Sequence, residues 1–186
     1  MRDGATGWKI GTVYLNERDG RLRLTVSYTA PLKDTVTDPD TAMQVEFGDE
    51  LDSFITLSCP AKRFSGFRIH AHETRDWLAR MEVLNARYEA QRKSLGRGNR
   101  KVRRRVRERE NRRSVRRANG TKHWNHVWTR TIIDHCRRLQ AGKVVVVNRP
   151  EGEVFGFSWP WAQFEQFLAY KADEMGGTVE YATANV

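Results

Sequence analysis

GKVVVVNRP, residues 142–150, holds four consecutive valines between a glycine and a proline. Branched side chains lose rotamer freedom in a helix and pack well on a pleated surface. A short continuous apolar run bounded by breakers therefore predicts a strand at residues 144–147, buried on both faces of its sheet. The flanking sequence says what kind of sheet. Upstream, Trp124, Val127, Trp128, Thr131, Ile132, Cys136 and Leu139 draw one apolar helical face over about four turns. Downstream, Ser158 and Pro160 open another helix, Trp161, Phe164, Phe167, Leu168 and Tyr170 supply its core side, Gly176-Gly177 ends it, and residues 178–181 begin a further strand. Alternating helices and strands of this kind build a parallel sheet.

Toward the N-terminus the rhythm changes. Residues 42–47 and 53–59 are short apolar runs separated by Gly48, Asp49, Glu50, Leu51 and Asp52, and residues 67–69 offer a brief third strand. Trp77, Met81, Leu84 and Tyr88 then fall at helical spacing with Glu82 and Glu89 facing outward. Residues 8–15 and 22–28 alternate around Asp19-Gly20, which predicts a hairpin. The stretch PLKDTVTDPDT, residues 31–41, reads as a linker. The expected organisation is a hairpin over 1–30, that linker, and an α/β body over 42–186 whose mixed sheet carries helices on its faces.

The body contains one strongly basic segment. The whole chain of 186 residues has 33 Lys plus Arg against 23 Asp plus Glu, a formal net charge of +10. Residues 92–117 alone hold 14 Lys/Arg and 2 acids, so the rest of the chain is close to neutral. Gly96 and Gly98 interrupt the segment, Asn99 is a suitable cap, and a helix is expected from there to about Ala118, with Asn119-Gly120 as its stop. Its apolar residues are Val102, Val106 and Val115, too few to hold ~27 Å of helix on a core. Only Glu108 and Glu110 are present to pair with its arginines. A polyanion relieves the remaining repulsion, and the guanidinium fork suits phosphate. The candidate nucleic-acid ligands are Arg97, Arg100, Lys101, Arg103, Arg104, Arg105, Arg107, Arg109, Arg112, Arg113, Arg116, Arg117 and Lys122. Contacts from such a row go mainly to the backbone, so binding is expected to be sequence-independent and steeply salt-dependent. A membrane surface is disfavoured because the helix has no apolar face.

Other classes drop out on simpler grounds. No apolar run approaches the ~18 residues of a membrane span, and MRDGATGWKI lacks the apolar region of a secretory signal. A cytoplasmic protein is the expectation. Cys59 and Cys136 have no CxxC spacing and read as small buried residues. His70 and His72, like His123, His126 and His135, lack the carboxylate or cysteine partners that would complete a metal set. Of six tryptophans, Trp77, Trp124, Trp128 and Trp161 fit core stripes, which leaves Trp8 and Trp159 as candidates for base stacking. There is no GxGxxG, no P-loop and no Ser/His/Asp pattern.

Five segments, VEFGDELDSFITLS (45–58), RKSLGRGNRKVRRRVRERENRRSVRRANGTKHWNHVWTRTII (92–133), KVVVVNRPEG (143–152), FSWPWAQFEQFLAYKADEMGGTVEY (157–181) and the hairpin GWKIGTVYLNERDGRLRLTVSY (7–28), carry a resemblance. In order and spacing the first four resemble the RuvC-like domain of the TnpB transposon nucleases and type V CRISPR effectors. The hairpin resembles the last strands of their wedge domain. The resemblance implies an RNase H-like core, with the long basic helical segment 92–118 as an insertion, and guide RNA and target DNA as partners. In that family three carboxylates hold two Mg²⁺ ions, which in-line displacement at phosphate needs ~3.5–4 Å apart.

Each carboxylate position departs from the family pattern. Glu46 stands where an aspartate is expected, and its extra methylene moves the oxygens by about a bond length. Asn148, a neutral amide, stands where a glutamate is expected, and the third aspartate aligns near Thr183. These are degenerate catalytic positions. The expectation is a nuclease-inactive module with no cofactor, Mg²⁺ entering only if residual cleavage survives through Glu46 with Asp49, Glu50 or Asp52. Glu151 and Glu153 read as solvated loop acids. The resemblance further implies a separate protein subunit carrying the recognition and wedge domains, or a homodimer. A general RNA-binding assembly protein is the remaining alternative.

Overall fold

The computed structural model describes residues 9–18, 21–29, 37–94, 100–150 and 152–182. Two compact units divide the chain at Thr35/Val36. The first contains an antiparallel pair, β1 (Lys9–Arg18) and β2 (Arg21–Thr29), running from Lys9 opposite Thr29 to Arg18 opposite Arg21 with a register shift between Ile10 and Val13. Asp19-Gly20, Trp8 and most of the expected linker lie outside the described residues.

The second unit is built on a five-stranded sheet. In chain order it comprises β3 (Asp38–Phe47), β4 (Ile55–Cys59), β5 (Phe64–Ile69), the helices α1 (His72–Ser94) and α2 (Arg100–Leu139), β6 (Ala141–Val147), a ribbon of β7 (Glu153–Val154) and β8 (Phe157–Ser158), α3 (Trp161–Asp173) and β9 (Thr178–Ala182). Strand order is β5-β4-β3-β6-β9, with β3, β4 and β5 antiparallel and β6 and β9 parallel to β3. This is the mixed sheet that the order of strands and helices predicts. β3 begins four residues earlier than the apolar run, inside the expected linker. Asp38 there donates its backbone N–H to the Gln140 carbonyl at 2.8 Å and accepts the Thr41 hydroxyl at 2.6 Å.

The helices cover one face of this sheet. Met43, Val45 and Phe47 of β3, Ile55 and Leu57 of β4, and Val144 and Val146 of β6 are buried in a single cluster with Trp128, Ile132, Ile133 and Cys136 of α2 and Phe164 and Leu168 of α3. Gln44 and Glu46, on the alternate face, are exposed, and Val145 and Val147 are half-buried. The valine strand is thus buried on one side, not on both: β-branching selects the strand, but the expected second helical layer is absent among the described residues. Both cysteines are fully buried, and burial pushes the Cys136 thiol up to about 12.

A polar network inside the core ties α2 to α3. Asn125 is fully buried, accepts the Trp159 indole N–H at 2.9 Å and donates to Gln163 at 3.2 Å. Trp159 also stacks on Trp128 with ring centres 4.9 Å apart. A buried tryptophan with its one donor satisfied is a core residue, so the expectation that Trp159 stacks on nucleic acid is corrected.

The largest departure from expectation is α2. Instead of stopping at Asn119-Gly120 and restarting near Trp124, the chain runs as one 40-residue helix of ~60 Å. Gly120 is needed for close approach rather than for a stop: a Cβ there would sit 2.0 Å from Cζ2 of Trp77 on α1. The two helices pair antiparallel, with Trp77 against Gly120, Tyr88 under Arg113 and Arg92 facing Glu110 at 3.8 Å. Alanine is the better helix former by roughly 1 kcal/mol, so propensity alone predicts that Gly120→Ala stabilises. Overpacking against Trp77 should win instead, lowering stability by about 1–3 kcal/mol. Thermal unfolding followed by circular dichroism should show a reduced Tm; an unchanged or raised Tm would contradict the contact.

Candidate nucleic-acid interface

The first half of α2 is an arm. Every buried residue of α2 lies at or after Thr121, and those of α1 are Thr74, Leu78 and Met81. Arg100, Lys101, Arg103, Arg104, Arg105, Arg107, Arg109, Arg112 and Arg116 are all exposed, as is Lys122. Helical spacing sorts them. Lys101, Arg105, Arg109, Arg112 and Arg116 follow one another at three or four residues and share a face. Arg100, Arg104 and Arg107 form a second, shorter row beside it.

Both available glutamates are already engaged. Glu108 accepts from Arg104 at 3.0 Å, and Glu110 faces Arg92 of α1. Arg105, Arg107, Arg109, Arg112 and Arg116 have no acidic partner within 4 Å among the described residues. Arg113 and Arg117 turn inward and are half-buried. The Arg113 guanidinium lies over the Tyr88 ring at 5.8 Å, and Arg117 donates to the Ser158 carbonyl at 3.4 Å, which ties the arm to the β7–β8 ribbon. Arg97 and the Asn99 cap lie outside the described residues.

The carboxylate positions sit at the C-terminal ends of β3 and β6. Glu46 is exposed on the uncovered face, between Thr56 of β4 and Val147 of β6. Asn148 follows immediately, exposed, with φ of 52°. That left-handed backbone is one asparagine adopts more readily than most residues, so a local conformational reason accompanies the amide. The next residue brings a cation: Arg149 pairs with Glu165 of α3 at 3.1 Å and lies over Trp161 at 6.0 Å. Beside them the Tyr181 hydroxyl is pushed up to about 12, first by burial and then by Glu165. Thr183 and Glu151 lie outside the described residues, and Glu153 is exposed in the β7–β8 ribbon.

A two-metal centre needs several oxygen anions converging from different elements. Here one glutamate, one neutral amide and an ion-paired arginine occupy the end of β3 and β6, and these residues do not fit that group. The neighbouring acids do not make up the deficit. Glu50 accepts from Ser53 at 3.0 Å, and Asp49 is exposed. Asp52 is bonded to His72 at 2.5 Å, an interaction that holds its carboxyl below the ordinary range. Among the described residues no three His, Cys, Asp or Glu side chains are grouped to hold a metal ion.

No family model and no curated protein matches the chain. Solved structures that share its fold include two Cas12f complexes. A CRISPR-Cas12f ternary complex, solved by cryo-EM, matches with a TM-score of 0.65 over 94% of this chain at 16% identity. A Cas12f1-sgRNA-target DNA complex, also solved by cryo-EM, matches with a TM-score of 0.60 over 91% at 17% identity. This chain spans about a third of their length, 35% and 34% respectively. At such identity the likeness to the Cas12f chains is one of fold.

His70 and His72 both face Asp52, at 4.0 and 2.5 Å, whereas the histidines of α2 have separate surroundings. His126 stacks on Phe167 at 4.0 Å, and burial lowers its pKa, helped by Lys171 and Lys122. His135 lies tilted against Phe67 with ring centres 4.0 Å apart and donates to the Thr131 carbonyl. His123 is exposed beside Trp124. None of the described helices is long and apolar enough to cross a membrane.

Proposed function

We propose that this chain is a nuclease-inactive RuvC-like module of an RNA-guided DNA-targeting assembly, and that the α2 arm grips guide RNA, heteroduplex or displaced strand by its phosphates. The observation that carries the reading is the set of exposed arginines without acidic partners among the described residues, Arg105, Arg107, Arg109, Arg112 and Arg116, on an arm with no buried residue before Thr121. Charge of one sign held on a rigid rod binds a polyanion and reads backbone rather than sequence. In guided systems base pairing supplies the sequence information and the protein recognises shape and phosphate, which suits this surface. The Cas12f neighbours, one a ternary complex and one with sgRNA and target DNA, support nucleic acid as the partner. Whatever supplies the recognition and remaining wedge functions lies outside these 186 residues. Loss of cleavage is supported by Asn148 and Arg149 at the position where the family needs carboxylates.

Two measurements follow. Replacing Arg100, Arg105, Arg107 and Arg112 by Gln should flatten the log–log salt dependence of duplex binding by up to ~0.9 per lost phosphate contact; an unchanged slope would mean that the arm is not the binding surface. Labelled single-stranded and duplex DNA and RNA should remain intact with Mg²⁺ or Mn²⁺. Products that disappear in Glu46→Gln would overturn the inactive reading and establish a metal-dependent endonuclease.

A further inference from the structure

α1 and α2 leave a groove of about 260 Å³ along the arm, walled by Met81, Leu84 and Tyr88 on one side and by Arg109, Arg112 and Arg116 on the other. Arg113 closes it, its guanidinium over the Tyr88 ring. No carboxylate lines the space, and the nearby Glu110 is turned to Arg92. Guanidinium groups around one groove repel unless an anion enters. The opposite wall narrows the choice of anion. A duplex presents phosphates but keeps its bases stacked inside, so it satisfies the arginines and leaves the Tyr88 wall unused. An acidic protein segment does the same. An unpaired nucleotide offers both chemistries at once, a phosphate on each side and a base whose π-face stacks on tyrosine or on a guanidinium plane. The Arg113 guanidinium, 5.8 Å from the Tyr88 ring centre, adds a further cation to the same groove. Arg105 and Lys101 continue the arginine face beyond the groove, which gives the neighbouring phosphates a track.

Resting on the phosphate-binding reading above, we propose that this groove takes one unpaired nucleotide of single-stranded RNA or DNA. Its base lies against Tyr88, Leu84 and Met81, and its flanking phosphates lie on Arg109, Arg112 and Arg116. The arm then prefers unpaired strands to duplex, a preference that phosphate contacts alone do not produce.

Fluorescence anisotropy on the full chain at fixed salt tests this, using oligo-U, oligo-dT, the same dT strand annealed to its complement, and an abasic strand of equal length. The unmodified protein should bind both base-bearing strands more tightly than the duplex and the abasic strand; tighter binding of either also shows which sugar the groove accepts. Tyr88→Ala should weaken the base-bearing strands roughly tenfold and leave duplex and abasic affinities unchanged, while Tyr88→Phe keeps the preference. Equal affinity of the unmodified protein for abasic and base-bearing strands overturns the proposal without relying on any variant. So does displacement of oligo-U by a poly-glutamate peptide at lower concentration than by unlabelled oligo-U, which would give the groove to an acidic protein. If neither strand nor duplex binds at low salt, the phosphate reading itself fails.

Discussion

Trp77 lies so close to Gly120 that no side chain fits between them, and the organisation of the basic segment depends on that approach. A helix of arginines with three valines cannot nucleate or hold itself in water, because nucleation is costly and like charges oppose it. Here it does neither alone. The C-terminal half of α2 is packed on the sheet through Trp128, Ile132 and Cys136 and locked to α3 through Asn125. Helix propagates outward from that packed half, and Trp77 clamps α1 beside it at the point where the core ends. The arm inherits its rigidity from the body, so the arginines are held in fixed rows rather than on a loose tail.

Fixed rows change what the charge can do. A flexible basic tail collapses onto whatever anion is near and loses conformational entropy in doing so. A rigid arm with Glu108 and Glu110 already engaged keeps its remaining arginines spaced for a regular polyanion. At the C-terminal end of β6 the charge balance also differs from that of a metal-dependent nuclease. Arg149 is ion-paired with Glu165 directly after Asn148, and Glu46 is exposed near the end of β3. That arrangement carries the proposal that the chain holds nucleic acid without cutting it.

Much of the fold was legible in the sequence because the strands and packed helices carry strong apolar periodicity: the valine run, the Trp128–Cys136 stripe and the Phe164–Leu168 stripe all lie where their spacing put them. Two departures share a cause. Gly120 reads as a stop because glycine ends helices, and only a tertiary neighbour, Trp77, shows that it is instead a point of close packing. Trp159 reads as a free stacker because its partner, Asn125, lies 34 residues away and asparagine inside a helix gives no sign that it is buried. The four valines specified a strand but not how many of its faces are covered. At the interface, composition located the arginines and their shortage of acids. It gave no sign of the groove, because Tyr88, Leu84 and Met81 read as an ordinary core stripe until α1 is seen to run past the sheet.

The proposal stands or falls on whether this chain works with a guide RNA rather than with nucleic acid in general. The most direct measurement is to purify the native protein at low salt from cells that express it with its flanking sequence and to sequence the bound nucleic acid. The account predicts that one structured RNA dominates the bound pool, far above its share of total cellular RNA. A pool that mirrors cellular RNA abundance, or protein free of nucleic acid, would contradict it.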